Sequence, residues 1–236
     1  MNTQPIEKFD HQEDGSLEVH SIFYTIQGEG PYTGQPAIFV RLAGCNLQCP
    51  GCDTDYTSER KRYSALALRD EVMNLREDEA STMLKLPMLV ITGGEPFRQN
   101  ITVFCNLMYQ RGFHVQIESN GTLPVDTELH PEIDIVVSPK TGKMNSGLEP
   151  RITALKYVVK EGCIDRSDGL PIRALDHTCS PVVAKPPQGF KGQVYLQPMD
   201  QGNMHQNRRN MNAAVNACKT FGHTLQIQTH KVAGIE

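Results

Sequence analysis

The chain has 236 residues, a formal net charge of −4 and a hydrophobic content of 39%. At roughly 150 residues per domain this suggests one compact unit with an insertion, somewhat short of the roughly 250 residues of a complete eight-stranded α/β barrel. No long block of like charges marks a nucleic-acid surface, no apolar run approaches the roughly 18 residues of a membrane helix, and the polar start MNTQPIEKFDHQEDG is unlike a signal peptide, so a cytoplasmic chain with a small-molecule ligand is expected, with neither nucleic acid nor membrane as partner.

In chain order, segments 17–26 and 36–43 read as strands, rich in β-branched and aromatic residues and separated by a loop holding Gly28, Gly30, Pro31 and Gly34. A helix is expected over 64–79 with Ser64 as its N-cap. Strands and helices then alternate: a strand at 86–94, a helix near 99–111, and strands at 113–121 and 133–140. The rhythm returns less clearly with strands at 152–159, 181–185 and 194–199, a helix near 203–221 and a last strand at 224–231. Such alternation builds a parallel sheet from βα units. Within a single domain over 1–236, residues 17–140 form the expected core, 141–192 a less regular insertion and 193–236 the C-terminal strands and helix. Three strands end in polar or glycine-rich tails, TGG, ESNG and SPK. In parallel sheets and barrels ligands bind outside the carboxyl ends of the strands, so tails of this kind in succession point to a site more than to turn chemistry alone.

Seven cysteines is an odd number, a poor fit to a fully paired disulfide framework. Cys45, Cys49 and Cys52 stand in a C-x3-C-x2-C spacing within GCNLQCPGCDT. So short a loop can aim three thiolates at one centre, which suits an iron–sulfur cluster with one iron left open, or a zinc knuckle completed by a remote Cys or His. Cys105, Cys163, Cys179 and Cys218 are scattered and read as small buried hydrophobes. The glycines of GEGPYTG miss the G-x-G-x-x-G spacing and lead into a strand, which excludes a dinucleotide fingerprint.

The three cysteines after a first strand, with GGEP at a later strand end, resemble the radical S-adenosylmethionine superfamily. Within it, IQGEGPYTGQPAIFVRLAGCN (26–46), CDT (52–54), VITGGEP (90–96), ESNGT (118–122), VSPK (137–140), LQPM (196–199) and QTHK (228–231) resemble the 7-carboxy-7-deazaguanine synthases of 7-deazapurine (queuosine-type) biosynthesis. The resemblance runs from about residue 20 to the C-terminus, with 141–192 contributing little. It implies a radical S-adenosylmethionine core: an incomplete, partly TIM-like α/β barrel of about six parallel strands, open on one side.

It also implies a lyase that uses a 4Fe-4S cluster, S-adenosylmethionine and Mg²⁺. One electron from the cluster cleaves the cofactor to an adenosyl radical, which takes hydrogen from 6-carboxytetrahydropterin; the ring contracts with loss of ammonia. Carried over residue by residue, Cys45, Cys49 and Cys52 hold the cluster and Thr54 the Mg²⁺. Gly51, Cys52, Asp53, Gly94, Ser138, Pro139, Lys140, Ser119, Asn120 and Gln197 face the cofactor. Ile26, Gln27, Gly28, Arg41 and Thr92 face the substrate. Arg41, an arginine within an apolar strand, needs a partner if buried, and a substrate carboxylate would provide one. His230 in QTHK is weighed as a catalytic group, although a lone histidine is more often structural. The residue before the third cluster cysteine is usually aromatic in the superfamily; here it is Gly51, and Tyr56 could supply the missing wall. A homodimer and a one-electron donor such as flavodoxin complete what the family implies. The rivals are another small radical enzyme, such as a glycyl-radical activating enzyme, and a non-enzymatic zinc or electron-carrier module.

Overall fold

The computed structural model describes residues 2–10, 12, 14–80, 86–176 and 182–235. The elements in chain order are β1 (Leu17–Ile26), β2 (Pro36–Leu42), β3 (Lys61–Tyr63), α1 (Ala65–Ala80), β4 (Met88–Gly93), α2 (Thr102–Gln110), β5 (Val115–Ser119), β6 (Asp134–Val137), β7 (Ile152–Val159), β8 (Gln193–Pro198), α3 (Met204–Phe221), β9 (Thr224–Leu225) and α4 (Thr229–Ala233). The strands form one sheet in the order β3-β1-β2-β4-β5-β6-β7-β8-β9. β1 is antiparallel to both of its neighbours, and every pairing from β2 to β9 is parallel. β2 and β4 to β8 are the six expected barrel strands, and β3 and β9 leave the two edges unjoined.

Period-two alternation divides the sheet into two unlike faces. Ile38, Val40 and Leu42 on β2, Leu89 and Ile91 on β4, Val115 and Ile117 on β5 and Ile135 and Val137 on β6 point outward into one large core, shared with Leu68 and Val72 of α1 and Phe104 and Met108 of α2. The intervening residues point inward. Ala37, Met88 and Val90 form a small apolar plug on that side, and above it Phe23, Arg41, Thr92, Glu118, Ser138, Lys156 and Gln197 line a single cavity. Side chains from β1, β2 and β4 to β8 meet around one space because the sheet curls about it, which is the incomplete α/β barrel.

Local chemistry explains most boundaries. Ser64 Oγ accepts from Ala67 N at 3.2 Å and opens α1, and Asn203 Oδ1 accepts from His205 N and Gln206 N, both at 3.1 Å, to open α3. Gly222 closes α3 in the left-handed conformation (φ 78°). Three expectations are corrected. The last strand stops at Leu225 instead of running to 231. The chain turns away there because Gln226, Thr229 and the helix α4 hydrogen-bond to the 28–30 loop: Gln226 Oε1 accepts from Gly30 N at 2.8 Å, and Thr229 N donates to Gly28 O at 3.1 Å. No strand forms over 182–185, and Pro181 lies outside the described residues. β7 pairs directly with β8, so the sheet has no slot for that segment. It is pinned beside the sheet by Ala184 N to Thr141 O (2.8 Å) and Tyr157 Oη to Ala184 O (2.8 Å). Of the scattered cysteines, Cys105 is buried but Cys163 and Cys218 are only partly so; Cys179 lies outside the described residues.

Candidate active site

The cavity encloses about 450 Å³ at the carboxyl ends of the parallel strands. Every residue assigned above to cluster, Mg²⁺, cofactor or substrate lines it, except Pro139, which is buried between Ser138 and Lys140. Cys45 and Cys49 are buried and Cys52 is half-buried, and none is in a disulfide. Burial pushes the Cys45 thiol up to about 12 and the Cys49 thiol up to about 11, and raises Cys52 as well. Among the described residues no group of three or more Cys, His, Asp or Glu side chains is placed to hold a single metal ion. A cuboidal cluster does not require that, since each thiolate bonds a different iron. Three unpaired thiols in one short loop, open to the cavity, fit such a cluster.

The loop geometry depends on close backbone approach. A Cβ on Gly94 would lie 2.0 Å from Gly44 O, and one on Gly93 would lie 2.1 Å from Leu42 O; only glycine lets the end of β4 sit against the start of the cysteine loop. Glu95 follows directly. It is fully buried and accepts from Ser119 Oγ (2.8 Å), Asn120 N (2.7 Å) and Phe97 N (3.1 Å), so it ties the end of β4 to the end of β5. Burial raises its carboxyl to about 7 against the pull of those donors and of Lys140. Ser119 is thereby committed to Glu95, and the Asn120 amide is held by Asn46 and Thr122. Gln197 differs: its buried Oε1 accepts no hydrogen bond among the described residues, which suits a ligand bearing a donor.

Gly51 has a structural reason. Its N–H donates to Leu175 O at 3.0 Å, and a Cβ there would stand 2.8 Å from Met199 Cε and 3.2 Å from Leu175 O. The place an aromatic side chain would take is filled by Met199 and by the chain at Leu175, both of which line the cavity. Leu175 and Asp176 have positive φ (49° and 60°), an unusual conformation for these residues. Tyr56 also lines the cavity.

A charged group absent from the expectations crosses the inner face. Lys156, in the middle of β7 and 6% exposed, bridges Glu29 and Glu118, with Nζ 3.3 Å from Glu118 Oε2. Burial would raise the Glu29 carboxyl, but the Lys156 ammonium overrides it and holds the group down at about 2. Burial likewise would lower Lys156, and the two carboxylates keep it well above the ordinary lysine value. Gln27 Nε2 donates to Glu118 at 3.0 Å, its Oε1 accepts from Glu29 N at 3.1 Å, and Gln228 Nε2 donates to Glu29 at 2.7 Å. The Gln27 side chain is therefore engaged, and the Gly28 carbonyl is taken by Thr229 and Gln226. Lys156 was legible by the same signal as Arg41, a cation inside an apolar strand. Glu29 and Glu118 stand in the quoted IQGEG and ESNGT segments, but their pairing was not legible, because nothing in the sequence joins a loop glutamate to one 89 positions later.

Arg41 lies over the Phe23 ring, 5.1 Å from its centroid, in register with Thr92 on β4, so both present side chains to the same part of the cavity. His230 crowds Gly28, where a Cβ would be 2.0 Å from its Nδ1. Beside it Lys231 Nζ reaches Asp53 Oδ2 at 2.9 Å and Asp200 Oδ2 at 3.1 Å, tying α4 to the cysteine loop and to the end of β8.

A family profile described as a 4Fe-4S single cluster domain matches residues 26–123. The 7-carboxy-7-deazaguanine synthase of Rhodospirillum rubrum is 38% identical over 226 residues, covering 93% of each chain. That of Rickettsia prowazekii is 38% identical over 229 residues, 94% of this chain and 91% of its own. That of Escherichia coli K12 is 30% identical over 233 residues, 92% and 98%. The crystal structure of QueE from Escherichia coli matches with a TM-score of 0.68 at 25% identity, over 90% of this chain and 94% of that one. The chain belongs to the 7-carboxy-7-deazaguanine synthase family.

Proposed function

We propose that the chain converts 6-carboxytetrahydropterin to 7-carboxy-7-deazaguanine with loss of ammonia, as a radical S-adenosylmethionine enzyme with a 4Fe-4S cluster and Mg²⁺. The observation that carries this reading is one cavity in which three unpaired cysteines, a basic residue for a carboxylate (Arg41) and a polar inner face all meet. When bound, the cluster and S-adenosylmethionine supply a one-electron route to a radical that removes a hydrogen atom from the substrate. The chain's own task is to bind, orient and exclude water.

Cys45, Cys49 and Cys52 hold the cluster. Gly94 and the Gly51–Asp53 stretch receive the cofactor, with Gln197 Oε1 offering an acceptor and Lys140 a positive charge on the side of Ser138. Lys140 Nζ donates to Ser138 O at 3.0 Å, which fixes its direction. Arg41 pairs with the substrate carboxylate, and Thr92 adds a hydrogen bond. Ile26, Gln27 and Gly28 frame the ring edge. The Glu29–Lys156–Glu118 group lies within reach of that edge and offers carboxylate acceptors to the amino and ring N–H donors of a pterin. Thr54, beside the cluster loop, contributes one oxygen to Mg²⁺, with substrate and water supplying the rest. Ser119, Asn120 and Pro139 act on the cofactor by shaping the strand ends. A homodimer and a flavodoxin-like donor belong to the same reading.

Family membership leaves no support for a glycyl-radical activating enzyme or a zinc module. The test is an anaerobic assay of reconstituted protein with 6-carboxytetrahydropterin, S-adenosylmethionine, Mg²⁺ and dithionite. Formation of 7-carboxy-7-deazaguanine is expected. Cofactor cleavage without that product would leave the radical chemistry standing and sink the substrate.

A further inference from the structure

Residues 2–10 carry no recognisable motif, yet they lie across the loop that bears the cysteines. Residues 2–10 are tied to it along their length. Asn2 N donates to Pro50 O at 3.1 Å and Glu7 N to Cys45 O at 2.7 Å, and Asp10 N donates to Arg98 O at 2.8 Å beyond the loop. Ile6 forms a parallel bridge with Cys45 itself.

Between these anchors Gln4 inserts its side-chain amide into the outgoing limb of the same loop. Gln4 Nε2 donates to Thr54 O at 2.8 Å, and Oε1 accepts from Tyr56 N at 2.8 Å and Thr57 Oγ1 at 3.2 Å. The Gln4 backbone carbonyl accepts from Gln48 Nε2 at 2.7 Å, on the limb between Cys45 and Cys49. One amide that serves both the C=O of one residue and the N–H of the residue two further on does the work of a neighbouring strand. The carbonyl it holds, Thr54 O, is also the one that Cys52 Sγ approaches at 3.9 Å.

We propose that residues 2–10 are a positioning arm for the cysteine loop and that Gln4 is the residue that sets its grip. The loop joins β2 to β3 without regular structure of its own, so its three ligands are held only as well as its backbone is. A loop free to fray lets one thiolate swing away and opens an iron to solvent or chelator. The arm suppresses that opening by closing hydrogen bonds on both limbs, and so governs how long the cluster is retained. The proposal rests on the cluster reading above.

The test compares full-length wild type with Gln4→Ala and Gln4→Glu, reconstituted anaerobically with iron and sulfide. Glu keeps the acceptor for Tyr56 N but loses the donor to Thr54 O, so its loss should be equal to or greater than that of Ala. Iron content at saturation and far-UV circular dichroism should match wild type, whereas iron release to excess chelator should be roughly five- to tenfold faster, the scale of one or two neutral hydrogen bonds. Equal release rates in wild type and variants would overturn the arm. Failure of the wild type to take up iron would overturn the cluster reading instead. A measurement on wild type alone guards against a variant that misfolds: in the loaded protein the Tyr56 amide, which the arm covers, should exchange hydrogen slowly, and fast exchange there would also overturn the proposal.

Discussion

Glu95 shows how one buried carboxylate holds two strand ends at a site. Its folded carboxyl is raised by burial to about 7 from an ordinary 4.5. A raised value means that the folded chain keeps a proton that the unfolded chain has already lost. The metal-free protein should therefore lose stability as pH rises from about 4.5 to about 7, by at most about 3 kcal/mol. Glu95→Gln cannot titrate, so its denaturant midpoint should lack that slope; an unchanged slope in the variant would assign it to other groups. Gln is also offered only donors at this position, by Ser119, Asn120 and Phe97, so at acid pH the variant should be the less stable protein by about 1–3 kcal/mol, and the gap should close as pH rises and the wild type bears the cost of ionising Glu95. Gly51 makes the complementary point about space. Gly51→Trp must displace Met199 or the chain at Leu175, so we expect a loss of about 1–3 kcal/mol in chemical denaturation and weaker S-adenosylmethionine binding by calorimetry. The identity of Gly51 was visible in the sequence, but what fills the space was not: Leu175 comes from a stretch whose prolines and glycines gave no periodicity to read.

At the scale of elements, legibility followed length and period. The long alternating strands and the capped helices α1 and α3 stood out because apolar spacing and capping chemistry agree there. β3 did not, since three residues with two exposed cations read as loop; such charge is what protects an edge strand from pairing with another chain. The overlong final strand shows the opposite failure. Its alternation was real, but the hydrogen bonds of Gln226 to the 28–30 loop outcompete the sheet, and no local pattern records a partner 196 positions away. The helix α3 matters to the site through Asn210, which is buried. Its Nδ2 donates to Met199 O at 2.8 Å and its Oδ1 accepts from Glu161 N at 2.9 Å, so it joins the ends of β7 and β8. Asn210→Ala should leave both backbone groups without that partner and cost about 2–3 kcal/mol in thermal or denaturant unfolding. Because Met199 also backs Gly51, the same variant should weaken S-adenosylmethionine binding; unaltered binding in a destabilised protein would confine Asn210 to stability.

The whole molecule is a sheet with an apolar outer face and a polar inner face, and the inner face is costly to keep without its ligands. Lys156 makes that visible: Lys156→Met would leave Glu29 and Glu118 close together in a buried place without their cation, and a loss of about 3–5 kcal/mol is expected. The cysteine loop carries the same cost in another form. In the metal-free fold Cys45 and Cys49 hold their protons up to about 12 and 11, against an ordinary 9. Thiols raised in this way take stability from the metal-free fold as pH climbs past 9, because the unfolded chain releases those protons first. Cluster binding acts in the opposite sense, since iron takes thiolates and must expel the protons, so its affinity grows with pH. Both effects widen the gap between loaded and metal-free protein in the same direction. Reconstituted protein should therefore melt at least about 5 °C above the metal-free form near neutral pH, and the difference should increase steadily towards pH 9. Anaerobic scanning calorimetry of the two forms across that range measures it directly, and a gap that stays level as pH rises would show that the thiols are not protonated in the metal-free cavity.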